Sequence, residues 1–145
     1  MPTSLAHNHA ARDAVLARVR KALGKQGRAA ARADAAAAMR ASFLERRDLI
    51  VGLLNTVPGV ACKTPGGAFY AWPNVTEACR ITGCPDSEAL RKRLLAEAGV
   101  AVLADIHFGR RVPGDGQHIR FSYAASPAAI NSGIQRLDAF VRRHL

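Results

Sequence analysis

Two short stretches of this 145-residue chain hold the residue types best suited to chemistry, PGGAFYAWP at 65–73 and HIRFSYAAS at 118–126. The second carries Arg120. A guanidinium offers two parallel N–H donors that match a carboxylate and fix its orientation as well as its charge. On strand pattern alone, the same residue reads as a strand-end arginine in a surface ion pair. In the first stretch, Phe69 and Tyr70 follow Gly66-Gly67, a pair that permits close backbone approach. Either ring could line a pocket, although alternating aromatics in a strand more often belong to a core. His107 and His118 are of a type that moves protons near neutral pH, but their positions read as a loop and a strand end. Arg110-Arg111 reads as a solvated loop, with recognition of a substrate side-chain anion as the alternative.

Other candidate groups point nowhere specific. Cys62, Cys79 and Cys84 make an odd count, which argues against a disulfide framework. The spacing of Cys79 and Cys84 with the downstream histidines fits no strong zinc pattern, so no metal site is expected and the thiols read as buried bystanders. The net charge is +10, and residues 1–50 hold ten Lys/Arg against four Asp/Glu. Such a balance favours polyanions non-specifically. No nucleic-acid reading motif or stacking platform accompanies it, so nucleic-acid binding is the least supported reading.

The elements that must position these residues follow from periodicity. A hydrophobic fraction of 49% is ample for a core. No apolar run is long enough for a membrane helix, and no apolar leader opens the chain, so a cytoplasmic protein is expected. Residues 1–32 read as a basic, Ala/Arg-rich helical or flexible segment, with Val15, Val19 and Leu23 on one stripe and Gly24 as its stop. Residues 33–145 read as the folded domain. Its first helix ends near Asn55, with Met39, Phe43, Ile50 and Leu54 on its buried stripe and the stems of Arg46 and Arg47 along the edge.

Strands are expected at Val60–Cys62 and Ala68–Trp72, then a helix capped by Asp86 and closed by Gly99, with Leu90, Leu94, Leu95 and Ala98 inward. Strands at Val100–Leu103 and His118–Tyr123 come next. A last helix has Ser126 as cap, Pro127 at its first position, and Ile130, Ile134, Leu137 and Val141 on its stripe. The order α-β-β-α-β-β-α predicts an α/β fold with helices packed on a small mixed open sheet, preceded by a helical arm.

FLERRDLIVGLLN (43–55), PGGAFYAWP (65–73), LLAEAGVAVL (94–103), FG (108–109) and GQHIRFSYAAS (116–126) occur in one order at consistent spacing. With these motifs, residues from about Met39 to Leu145 resemble the C-terminal part of a pyridoxal-phosphate-dependent class I/II aminotransferase of fold type I. The resemblance implies an amino-acid or 2-oxo-acid substrate and a small C-terminal domain that supplies an arginine for the substrate α-carboxylate. Arg120 falls on that position, and Phe69 is the second substrate-binding candidate.

It also implies pyridoxal 5'-phosphate as cofactor, attached in the family to a lysine of the large central domain, and either a homodimer or a partner carrying that domain. Lys21, Lys25, Lys63 and Lys92 are the four lysines here, and none sits in the family's Schiff-base setting. The expectation is therefore no catalytic, cofactor-binding or metal residue in this chain. It reads as a truncated aminotransferase tail behind an unrelated N-terminal segment, without transaminase activity by itself. A non-catalytic remnant or partner-docking module is the alternative. One departure stands out: where the family commonly has Pro-Gly before the Phe-Gly, this chain reads Leu103-Ala104-Asp105-Ile106-His107, so the loop near the substrate is expected to differ.

Overall fold

The computed structural model describes residues 13–18, 21 and 25–145. Residues 13–18 are helical, with Val15 exposed; Val19, Leu23 and Gly24 of the expected N-terminal helix lie outside the described residues. By internal contacts the chain divides into residues 1–40 and 41–145. Helix α1 (Lys25–Leu54) runs across that division. Its alanine-rich first half exposes residues 31–41 to solvent, as a helix with good propensity and nothing to bury must. Met39, expected on the buried stripe, is exposed. The stripe finds packing partners only from Phe43 onward, through Ile50 and Leu54.

The remaining elements are β1 (Tyr70–Ala71), α2 (Thr76–Ile81), α3 (Ser87–Arg93), β2 (Leu103–Ala104), β3 (Ile119–Ser122) and α4 (Pro127–Arg142). Both helix caps are those expected. Asp86 accepts from the Ala89 N–H at 2.8 Å, and Ser126 accepts from Ala129 with Pro127 at the first position. Helix α4 buries Ile130, Ile134, Leu137 and Val141, the expected stripe, and adds Phe140. The α3 helix does not run straight to Gly99. Leu94–Ala98 form a π turn, and Gly99 closes it in the left-handed region (φ 64°). The wider turn leaves Leu94 buried and turns Leu95, expected inward, out to solvent.

The sheet order is β1-β3-β2, with β3 in the centre. The α/β architecture of helices on a small open sheet holds, but every pairing is antiparallel where a mixed sheet was expected. The expected strand at Val60–Cys62 contributes only the bridge Ala61 to Asn74, whose other side bridges to His118. The strand expected at Val100–Leu103 pairs only at Leu103–Ala104, and α2 was not expected at all. Its six residues carry too short a pattern for periodicity to identify.

The pleat of β3 divides the molecule. Ile119, Phe121 and Tyr123 point into a core shared with Ile50, Leu54, Leu90, Leu94 and Leu137, while Arg120 and Ser122 point outward. At the end of β3, the Tyr123 hydroxyl donates to the Ala68 carbonyl at 2.9 Å and holds Ala68 at φ 59°. Among the described residues no helix is long and apolar enough to cross a membrane.

Gly59 adopts φ 75° against the backbone of α2, and a Cβ there would lie 2.5 Å from the Ala78 nitrogen. Gly59→Ala is expected to cost about 2 kcal/mol or more. Gly52→Ala, on α1 with open space around it, should gain about 0.5–1 kcal/mol. Urea unfolding of the two variants checks both signs.

Candidate functional site

Arg120 is placed by the sheet. It pairs with Leu103 of β2, while its neighbour Phe121 pairs with Ala71 of β1, so its side chain emerges on the outward face beside Tyr70. Its guanidinium carbon lies 4.1 Å from the Tyr70 ring centroid and 4.5 Å from that of Phe108. Both distances are well inside the range of cation–π attraction. Among the described residues the guanidinium makes no hydrogen bond or ion pair, so the surface-ion-pair alternative finds no carboxylate partner. Contact with rings occupies a guanidinium's π surface and does not consume its N–H donors.

The ring cluster extends beyond Phe108. Trp72 meets Phe108 edge-on at 5.2 Å and stacks on His118 at 5.7 Å with 9° between planes. Phe69 sits one layer away. It stacks on Phe43 of α1 at 6.0 Å and tilts against Tyr70 at 4.5 Å, so it reaches Arg120 only through Tyr70. The residues that sequence reasoning missed are Phe108 and Trp72. Their signal was present in the FG and FYAWP motifs, but nothing local shows that two segments so far apart in sequence meet over one strand.

The loop after β2 is built around Asp105, which is 8% exposed. Arg111 forks onto it, Nε to Oδ2 and Nη2 to Oδ1, both at 2.8 Å. The Ser87 hydroxyl donates to Oδ1 at 2.7 Å, and the His118 backbone N–H donates to Oδ2 at 3.1 Å. Burial pushes the Asp105 carboxyl up, but the hydrogen bonds from Arg111, Ser87 and His118 outweigh it and hold it well below the usual carboxylate range. Arg110 and Arg111 are both exposed loop residues, as expected of the pair, and Arg111 in addition grips a nearly buried carboxylate. The departure Leu103-Ala104-Asp105 supplies the carboxylate it grips.

The other candidates are anchored structurally. His107 Nε2 lies 3.2 Å from Glu88 Oε2. Hydrogen bonds from Arg91, with Lys92 and His107 nearby, hold the Glu88 carboxyl down to about 2. His118 Nδ1 faces the Gly116 carbonyl at 3.2 Å. All three cysteines are buried and free. Desolvation, with Cys84 and Asp86 nearby, pushes the Cys79 thiol up to about 12, so it is not a thiolate nucleophile at neutral pH.

No family model matches the chain. It is 36% identical over 106 residues to an aspartate aminotransferase of Bacillus subtilis (strain 168), which covers 73% of this chain and 26% of that protein. It is likewise 36% identical over 110 residues to an asparagine–oxo-acid transaminase of Streptococcus mutans, covering 76% of this chain and 27% of the relative. In three dimensions it matches the crystal structure of an aspartate aminotransferase from Rhizobium meliloti with TM-score 0.62 and 31% identity, over 70% of this chain and 26% of the other. The match to an aromatic aminotransferase from Pyrococcus horikoshii OT3 has TM-score 0.65 and 30% identity, over 77% of this chain and 28% of the other. The chain spans about a quarter of the length of the curated relatives it matches. The matched region belongs to the aminotransferase family of these relatives and corresponds to a C-terminal fragment of its members.

Lys21, Lys63 and Lys92 do not fit the lysine role in the cofactor chemistry that this family implies, and Lys21 is an exposed residue. A lysine that forms a Schiff base needs a desolvated or otherwise activated amine. Lys92 is 68% exposed and pairs with Glu88 at 3.5 Å, and Lys63 is an exposed residue on the rim of a cleft.

Asp105→Asn should lower stability at pH 7 by about 2 kcal/mol, the usual scale for hydrogen bonds to a charged group. A carboxylate held below its unfolded value contributes stability above an unfolded pKa of about 3.9, and loses it as pH falls toward the folded value. The gap between wild type and Asp105→Asn should therefore be constant above about pH 5 and shrink below it. Urea melts at pH 7, 4 and 3 measure this. A gap that widens on acidification would contradict the assignment.

Proposed function

We propose that residues from about 39 to 145 form the carboxylate-binding part of a pyridoxal-phosphate-dependent aminotransferase, with Arg120 receiving the α-carboxylate of an amino acid or 2-oxo acid. The observation that carries this reading is the state of Arg120: in contact with the Tyr70 and Phe108 rings, on the outward face, with its N–H donors unpartnered among the described residues. A carboxylate arriving edge-on would meet two parallel donors, and a bidentate anchor fixes the direction in which the rest of the substrate leaves the site. Orientation of this kind lowers the barrier of a reaction whose reacting atoms sit elsewhere. Lysine would supply charge without the fork.

Under this reading the partners are the substrate acid, pyridoxal phosphate, and either a second copy of the chain or a partner carrying the large domain. Transamination by these 145 residues alone is not part of the proposal. The exposed Trp72, Leu103, Ile106 and Phe108 favour a second reading, a module whose outward face is covered by another protein surface.

Nε–Hε NMR of Arg120 during titration with a 2-oxo acid tests the first reading. A specific shift with a dissociation constant near 1 mM, about 4 kcal/mol of binding, is expected. Arg120→Lys should weaken binding about tenfold or more. An unmoved Arg120 resonance at saturating acid would remove the assignment. Incubation with pyridoxal phosphate followed by borohydride should leave all four lysines unmodified by mass spectrometry, beyond the background of an unfolded control. Stoichiometric labelling of a single lysine would reverse the expectation that this chain lacks the cofactor-bearing group.

A further inference from the structure

The two rings in contact with Arg120 are held in different ways. Tyr70 lies on β1, in register with Ser122 of β3, so the sheet's hydrogen bonds fix it beside Arg120. Phe108 lies on no strand. It ends the short 3-10 turn Asp105–Phe108, precedes Gly109 at φ 124°, and is 47% exposed. Its ring meets only Arg120 and Trp72 among the aromatic and cationic groups around it. A half-exposed ring at the end of a single turn is not held by burial. Its backbone must be held instead.

Asp105 does that. Its N–H donates to the carbonyl of His118, the residue just before β3, at 3.0 Å, which ties the start of the turn to the entry of that strand. Its carboxylate takes the fork of Arg111, three residues beyond Phe108, so the pair closes a short loop around the ring. Ser87, fully buried at the start of α3, receives Arg111 Nη2 at 2.9 Å and donates to Asp105, anchoring the clasp to the core. His107 adds a second tether to α3 through Glu88.

We propose that Asp105 and Arg111 are positioning residues for the carboxylate-binding arginine: with Ser87 they hold the Asp105–Phe108 turn so that Phe108 keeps its cation–π contact with Arg120. The structural half of this statement stands on the clasp geometry alone. The functional half, that the clasp raises affinity for a carboxylate, rests on the reading of Arg120 given above.

Ring-current shifts separate the two halves. In contact with two rings, the Arg120 side-chain protons should resonate upfield of those of an unstructured arginine. Arg111→Gln removes the fork but leaves Asp105 its bonds to Ser87 and His118, so the fold is retained. It should abolish the Phe108 share of the upfield shift and keep the Tyr70 share. Phe108→Ala should have the same effect, and the double variant should show no further change. The Ile119 and Tyr123 resonances report the core and should stay in place. A merely structural clasp would leave Arg120 with its wild-type shifts in Arg111→Gln, and that result overturns the proposal.

The functional half is read from the 2-oxo-acid titration. Loss of a cation–π contact should weaken Arg111→Gln about fivefold relative to wild type. Wild-type affinity in Arg111→Gln overturns the functional half. Absence of binding in wild type instead overturns the reading of Arg120, with the ring-current result still deciding the clasp.

Discussion

The pleat of β3 is the constraint on which the rest of this structure depends. Ile119, Phe121 and Tyr123 alternate inward, and all three are at least 90% buried. A one-residue slip in register would put Arg120 into that core and three apolar side chains into water. The register is therefore locked by burial on one side, and the arginine is held outward without any contact of its own having to place it. The core partners Leu54, Leu90, Leu94 and Leu137 come from α1, α3, the π turn that follows it, and α4. The position of a single guanidinium is thus set by packing distributed through the domain.

Around that fixed point the surface is built from aromatic rings and one ionic clasp. Tyr70, Phe108, Trp72 and His118 form a connected set on the outward face. An arginine in contact with rings keeps its charge and loses little hydration at its edges, because guanidinium is weakly hydrated at its faces. The Asp105–Arg111 pair works differently. Its carboxylate is nearly buried and fully hydrogen-bonded, a state that is tolerable only when both oxygens are satisfied. Here they are, by one side-chain fork, one hydroxyl and one backbone N–H. Loop residues that would otherwise sample many conformations are thereby committed to one.

The similarity to aminotransferases covers most of this chain and about a quarter of its relatives. Under the proposed reading, that asymmetry would divide the labour, with a carboxylate receptor in this chain and the cofactor chemistry in the part of the relatives it does not match. Binding and positioning are properties of one surface and can reside in a small domain. Covalent cofactor chemistry needs a desolvated or otherwise activated amine, which is a property of a local pocket rather than of one strand face.

Much of this was legible in the sequence because it is encoded locally. The Asp86 and Ser126 caps, Pro127, Gly99 and the stripe Ile130, Ile134, Leu137 and Val141 depend only on residues within a turn or two of one another, and each stands where periodicity put it. The strand pattern at HIRFSY read Arg120 as a surface residue at a strand end, and its exposure to the outward face agrees with that. Tertiary structure decided the rest, because it depends on distance in space. The antiparallel sheet follows from which short strands meet β3, a choice invisible in two-residue segments. The π turn that buries Leu94 and exposes Leu95 has no counterpart in the apolar periodicity of the segment. The clasp joins Ser87, Asp105, Arg111 and His118 across 31 residues of chain. No local pattern identifies Asp105 as the partner of an arginine that reads, on its own, as one more solvated charge.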